Sequence, residues 1–159
     1  MSKFAIPRLA GLLMLVAPLA WSVGCDGGGD RWTRDRPPVY PVSGQVILNG
    51  KPLEQATVTF QPTDPKGKAG SAVTDAEGRF EAMTFDAGDG LTEGSHRVAV
   101  KKTVMVDSSG NVVSEIREPG SVTEKSFVPA KYSDFEKSGL EITVSSAEDN
   151  ELAPFEITE

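Results

Sequence analysis

Apolar and polar residues alternate along several short segments between positions 42 and 157, a pattern typical of half-buried β-strands. The alternation is clearest in 56–60, 95–101 and 140–144. The predicted inward positions are Ala56, Val58, Phe60, His96, Val98, Val100, Leu140, Ile142 and Val144. We expect these strands to pack their apolar faces into one core.

Turn residues separate the strand-like segments at short intervals. Asn49-Gly50 follows the β-rich segment 42–48 and favours a two-residue hairpin turn. Asp75-Ala-Glu-Gly78 lies between the segments 71–74 and 79–83 and predicts another tight turn. About seven short strands separated by such turns predict an all-β fold, a single Greek-key-type β-sandwich.

The N-terminal segment has a basic start followed by a continuous apolar stretch. Lys3 and Arg8 precede the uncharged residues 9–24, which are fewer than the roughly 20 that a membrane-spanning helix needs. The pattern is typical of a secretory signal, so we predict that residues 1–24 are a signal peptide.

The chain's one cysteine, Cys25, directly follows this segment. Ser22-Val-Gly24-Cys25 resembles the bacterial lipobox, in which the cysteine becomes the first mature residue and carries lipid on its sulfur. Ser22 stands where leucine is commonest. We expect Cys25 to be lipidated; the alternative is a plain signal peptide followed by an incidental cysteine.

Residues 25–40 are rich in glycine, proline and polar side chains, which predicts a flexible linker. The domain itself is expected to span 41–159. With no second cysteine there is no intrachain disulfide, so a secreted fold must be held by its core. Loss of Lys3 and Arg8 with the signal would lower the formal charge from −7 to −9. That acidity argues against a nucleic-acid partner and against adhesion to anionic lipid by charge alone.

Five short motifs follow one another along the first part of the domain: Val42-x-Gly44-x-Val46, Gly50-x-Pro52-Leu53, Ala56-x-Val58-x-Phe60, Thr74-Asp75-x-x-Gly78-x-Phe80 and Gly94-x-His96-x-Val98-x-Val100. Together they resemble the carboxypeptidase regulatory-like domain, which implies a transthyretin-like, prealbumin-type β-sandwich. Residues 128–144 resemble the ending of predicted surface lipoproteins of planctomycete-type bacteria. His96 stands where the family often has tyrosine.

The supply of catalytic side chains is small. A single histidine excludes a zinc site with two or three histidines within one subunit. A Ser-His-acid triad could form only through His96, whose place in an alternating strand favours a structural role. Cys25 has no histidine near it in the sequence to activate it. We therefore predict no catalytic residues, metal site or cofactor.

Two polar stretches are predicted as loops, 85–94 and 108–126. The first contains Asp86, Asp89 and Glu93, and carboxylates on a flexible loop are ligands that calcium prefers. Acidic glycine-containing loops are also common solvated connections, so the sequence leaves calcium binding at 86–93 open.

The combined expectation is a non-enzymatic, lipid-anchored, extracytoplasmic cell-envelope module with a structural or binding role. Its predicted membrane contact is the lipid on Cys25. The alternatives are a carbohydrate- or protein-binding adhesion module and an accessory subunit of an envelope enzyme. The domain has no tryptophan to stack on sugars, and the sequence identifies no ligand.

Overall fold

The computed structural model describes residues 33, 35–114, 120–146 and 149–159. Residues Arg36–Glu159 form one compact unit, which contains the thirteen strands found in the described residues. In chain order these are β1 (Val39–Tyr40), β2 (Val42–Leu48), β3 (Lys51–Pro52), β4 (Thr57–Pro62), β5 (Gly70–Val73), β6 (Arg79–Glu81), β7 (Leu91–Thr92), β8 (Gly94–Lys101), β9 (Thr103–Asp107), β10 (Val122–Ser126), β11 (Leu140–Val144), β12 (Asn150–Glu151) and β13 (Phe155–Ile157), with a 3-10 helix η1 (Ala130–Ser133) between β10 and β11.

The fold is all-β, as predicted. The part of the chain that the structure describes contains no α-helix, and no helix in it has the length and apolar character needed to cross a membrane.

A four-stranded antiparallel sheet has the order β11-β8-β4-β5. Its register places Phe60 opposite Val98 and Ile142 opposite His96. The predicted inward positions of β4 and β8 are all buried. The alternation of apolar and polar residues in these segments therefore predicts correctly which side chains point into the core.

A second sheet is built around β2. Strands β3 and β6 pair with β2 in the antiparallel direction, whereas β12 and β13 pair with it in parallel. Asn49 and Gly50 connect β2 to β3 with φ angles of 49° and 76°. Positive φ at both residues is the geometry of the predicted hairpin turn.

Side chains from the two sheets meet in one core. The ring of Phe80 on β6 lies 5.9 Å from that of Phe60 on β4 and 5.9 Å from that of Phe155 on β13. Fully burying a large apolar side chain stabilises a fold by about 1.5–3 kcal/mol. The buried members of the core are Val42, Val46, Leu53, Ala56, Val58, Phe60, Ala72, Phe80, Ala82, Leu91, Val98, Val100, Val128, Tyr132, Ile142, Val144, Phe155 and Ile157.

The predicted loop 85–94 contains a strand. Strand β7 pairs with β1, so Leu91 lies opposite Tyr40 and is buried. Strand β1 in turn occupies the last two residues of the predicted linker 25–40. Both strands have only two residues and gain their partners from distant parts of the chain, which leaves too little local alternation to predict either of them.

The prediction of one loop over 108–126 is wrong for its last residues. Val122–Ser126 forms β10, which pairs antiparallel with β9 along its full length. Four of the five residues of β10 are exposed, so no alternation marks it as a strand. Pairing with β9 stabilises it instead. This ribbon, together with the short strands, raises the number of strands above the seven predicted.

Candidate functional site

The predicted lipid site Cys25 and the predicted signal peptide 1–24 lie outside the described residues. They therefore remain predictions from sequence. The other groups considered for chemistry, His96 and the acidic loop 86–93, lie within the described residues and have defined partners.

His96 is 1% exposed and points into the core from β8. Its Nδ1 lies 3.1 Å from the carbonyl oxygen of Gly94, and its Nε2 lies 3.4 Å from the hydroxyl of Thr92. A carbonyl only accepts, so Nδ1 carries the proton and Nε2 accepts from Thr92. Burial lowers the pKa of His96 and outweighs the Gly94 carbonyl, which raises it. The ring is therefore a neutral structural group.

Asp89 closes the acidic loop on itself. Its carboxylate accepts N–H bonds from Thr84, Phe85 and Asp86 at 2.7, 2.9 and 3.0 Å. Burial acts to raise the pKa of Asp89, but these N–H donors and the charge of Arg36 act together to lower it below its usual value. The Asp89 carboxylate is thus already occupied by N–H groups of its own loop.

Asp86 is also engaged. Arg36 donates to its carboxylate at 2.7 Å, and the guanidinium carbon lies 4.8 Å from the centre of the Phe85 ring. The described residues contain no group of three or more His, Cys, Asp or Glu side chains that could hold a metal ion. Both aspartates of the loop therefore have partners within the protein.

Within the described residues, the same use of aspartate recurs in three Asp-x-x-Gly turns, which begin at Asp64, Asp75 and Asp107. In each turn the aspartate carbonyl accepts the glycine N–H at 2.9–3.0 Å. In each, the carboxylate also accepts the N–H two residues on, at 2.8–3.0 Å. This Asx arrangement fixes the turn locally. The spacing was visible in the sequence but was interpreted there only at Asp75.

A groove of about 1000 Å³ lies on the outer side of the second sheet. Ser43 and Gln45 line it from β2, where they alternate with the buried Val42 and Val46. Arg79 and Glu81 line it from β6; the other lining residues are Gly44, Val73, Asp75, Phe80, Met83, Ala87, Gly88, Glu151, Leu152 and Pro154.

Two large hydrophobic side chains are exposed in this groove, Val73 at 63% and Met83 at 41%. Met83, the second residue after β6, is held by two backbone hydrogen bonds of 2.9 Å with Ser71 of strand β5. It also lines a neighbouring groove of about 360 Å³ that contains Phe85 and Asp86. Met83 thus lies between two concave surfaces. Sequence reasoning missed this site, because its exposure depends on a bridge between separate segments.

No known protein family matches the chain, and no curated protein matches it. Among solved structures it is similar to a 9R-lipoxygenase from Cyanothece PCC8801, with 16% sequence identity and a TM-score of 0.39. The alignment covers 77% of this chain but only 17% of the lipoxygenase chain. A likeness at this level supports neither a shared fold nor a shared activity.

Proposed function

We propose that this chain is a non-enzymatic binding or structural module of the cell envelope, held at a membrane by lipid on Cys25. The proposal that the chain is not an enzyme depends on the environment of its one histidine, His96. Its ring is buried in the core and both ring nitrogens have partners. A general base must instead reach the proton that it removes.

The aspartates support the same proposal. Asp64, Asp75, Asp89 and Asp107 each accept backbone N–H bonds from their own loops. These carboxylates therefore stabilise turns and loops, which is a structural use of residues that an active site would need for acid–base chemistry.

We further propose that the fold is a prealbumin-like β-sandwich, as the resemblance to the carboxypeptidase regulatory-like domain implies. Seven strands of three or more residues form the two sheets and share the core. They are β2, β4, β5, β6, β8, β11 and β13. This number supports a seven-stranded sandwich to which the short strands and the β9–β10 ribbon are additions.

Within the proposed function, the groove beside Met83 is the candidate surface for a partner. A protein segment suits it better than a sugar. The exposed side chains there include the aliphatic Val73 and Met83 and the charged Arg79 and Glu81. The aromatic rings of Phe60, Phe80 and Phe155 are buried and cannot stack on a sugar.

The anchor is tested by mass spectrometry of the mature N-terminus and by fractionation of a Cys25→Ala variant. We expect a lipid-modified cysteine as the first residue and loss of the variant from membranes. A mature chain that begins elsewhere, or a variant that stays in the membrane fraction, would contradict the anchor.

The groove is tested by capturing partners from an envelope extract with the wild-type chain and with Met83→Asp. Met105→Asp is a matched control, because Met105 is 40% exposed but lies on β9. We expect Met83→Asp alone to lose a specific partner. Identical captured proteins for all three chains would count against the groove.

A further inference from the structure

The β9–β10 ribbon has two chemically different faces. Side chains alternate along each strand, and the register places Val104 opposite Lys125 and Met105 opposite Glu124. The Phe127 N–H donates to the Lys102 carbonyl at 2.9 Å, which extends the same pairing by one position. One face therefore carries Lys102, Val104, Thr123, Lys125 and Phe127 together with the buried Val106. The other carries Met105, Asp107 and Glu124.

The first of these faces, here called the Phe127 face, combines an exposed ring with two cations. Phe127 is 41% exposed. The ammonium nitrogens of Lys102 and Lys125 lie 5.7 and 5.6 Å from its ring centre, within the range of cation–π attraction. Glu124 is on the opposite face, where its carboxylate lies 3.4 Å from Lys101. Among the described residues, no carboxylate forms an ion pair with either lysine.

The ribbon segment also concentrates exposed apolar groups. Among the described residues, five large hydrophobic side chains are exposed, and Met105, Val112 and Phe127 of this segment are three of them. The chain as a whole carries a formal charge of −7, so a face with two lysines and a phenyl ring stands out from its surroundings. Lysine and an aromatic ring together suit the boundary between anionic headgroups and acyl chains.

We propose that the Phe127 face docks on the anionic phospholipids of the bilayer that holds the anchor. This inference rests on the proposed lipid anchor. Two lysines and one ring bind a membrane weakly by themselves, and the acidic remainder of the chain is repelled by it. A lipid tether increases the fraction of docked protein, because it makes docking an intramolecular event at high effective concentration. Docking then orients the domain on the membrane.

The experiment uses the mature lipidated chain on vesicles of phosphatidylcholine, with or without phosphatidylglycerol. The sequence has one cysteine, whose sulfur the lipid blocks, so a Thr123→Cys substitution adds a single site for a fluorophore. Thr123 is exposed and lies on the Phe127 face, two residues before Lys125. A quencher attached to lipid headgroups should quench this fluorophore on anionic vesicles, but not on neutral ones and not in high salt.

Lys102→Gln with Lys125→Gln should lower the ratio of docked to undocked protein by roughly fivefold per lysine. Lys66→Gln with Lys68→Gln is the control, since it removes the same charge from an exposed loop. Equal quenching on both vesicle types, equal loss in the control, or equal quenching of a fluorophore at Lys51→Cys would overturn the proposal. So would tight binding of this face to a soluble polyanion without quenching on anionic vesicles.

The anchor has a separate readout. Flotation with neutral vesicles reports lipidation alone, and its failure contradicts the anchor. When flotation shows that the chain is anchored, quenching on anionic vesicles supports docking and its absence overturns docking alone.

Discussion

Gly44 and Phe80 are register partners on β2 and β6, and the phenyl ring fills the space that a side chain at position 44 would need. A Cβ atom at position 44 would lie 2.7 Å from Cζ of Phe80. The ring also packs against Phe60 and Phe155. It therefore cannot move away without disturbing the core that joins the two sheets.

We expect Gly44→Ala to destabilise the fold by about 1–3 kcal/mol, the usual cost of overpacking a core. Phe80→Ala should cost about 3–5 kcal/mol, because it removes a buried ring. Urea unfolding measures both. The double variant is the sharper test: Gly44→Ala should cost much less in the Phe80→Ala background. Strictly additive effects would show that the two residues do not compete for space.

Thr74 links two loops through its buried hydroxyl group. The hydroxyl accepts from the Ala56 N–H at 2.8 Å and donates to the Leu53 carbonyl at 2.6 Å. Thr74→Val keeps the shape but leaves both backbone groups without that partner, so we expect a loss of about 1–3 kcal/mol. Thr57→Val, at an exposed position of β4, should change stability by no more than about 0.5 kcal/mol. Similar values for the two variants would contradict this role of Thr74.

The sequence predicts well those strands in which buried apolar residues alternate with exposed polar ones. Val58, Phe60 and Val144 alternate with exposed or partly exposed neighbours and are buried as expected. The strands that it does not predict depend on pairing. Leu91 is one apolar residue in an acidic stretch, and its burial follows from the contact of β7 with β1.

The candidate groove is harder to predict than the turns. An Asp-x-x-Gly turn is a local structure, so its spacing can be recognised in the sequence. Met83 lies at the groove because its backbone pairs with Ser71, and nothing in the residues around position 83 indicates that partner. The hydrophobic pattern alone places Met83 at the end of a strand.

Stability should fall on mild acidification because of His96. Burial holds the pKa of His96 below its ordinary value of 6.5. As the pH falls through about 6.5, the unfolded chain takes up a proton that the folded protein does not. The contribution of neutral His96 to the free energy of unfolding is therefore fully present above about pH 6.5. It decreases as the pH falls from there to the pKa of His96 in the folded protein. The expected slope is about 1.4 kcal/mol per pH unit within that window.

The control for this pH effect is His96→Leu, compared by its slope rather than by its absolute stability. Urea unfolding at several pH values should give a flatter profile for the variant in the same window. An unchanged profile would mean that groups other than His96 cause the dependence.

Calcium should not stabilise the domain. The Asp89 carboxylate accepts three backbone N–H bonds and Asp86 pairs with Arg36, so binding would have to break these contacts. Thermal unfolding with and without calcium measures this directly, since a ligand at 100 times its dissociation constant adds about 2.7 kcal/mol. A shift that disappears in an Asp86→Ala, Asp89→Ala variant would make the acidic loop a calcium site.

Asp89 should give the fold a second, more acidic sensitivity. Its folded pKa is lowered, so it contributes stability above its unfolded pKa of about 3.9 and loses that contribution as the pH falls towards the folded pKa. Asp89→Asn removes the charge and one accepting oxygen, and should cost about 1–3 kcal/mol near neutral pH. The variant should also show a shallower loss of stability below about pH 4.

Asp35→Asn is the control, because Asp35 is exposed and lies outside the compact unit. Equal effects of the two substitutions would show that closing the acidic loop contributes nothing to stability.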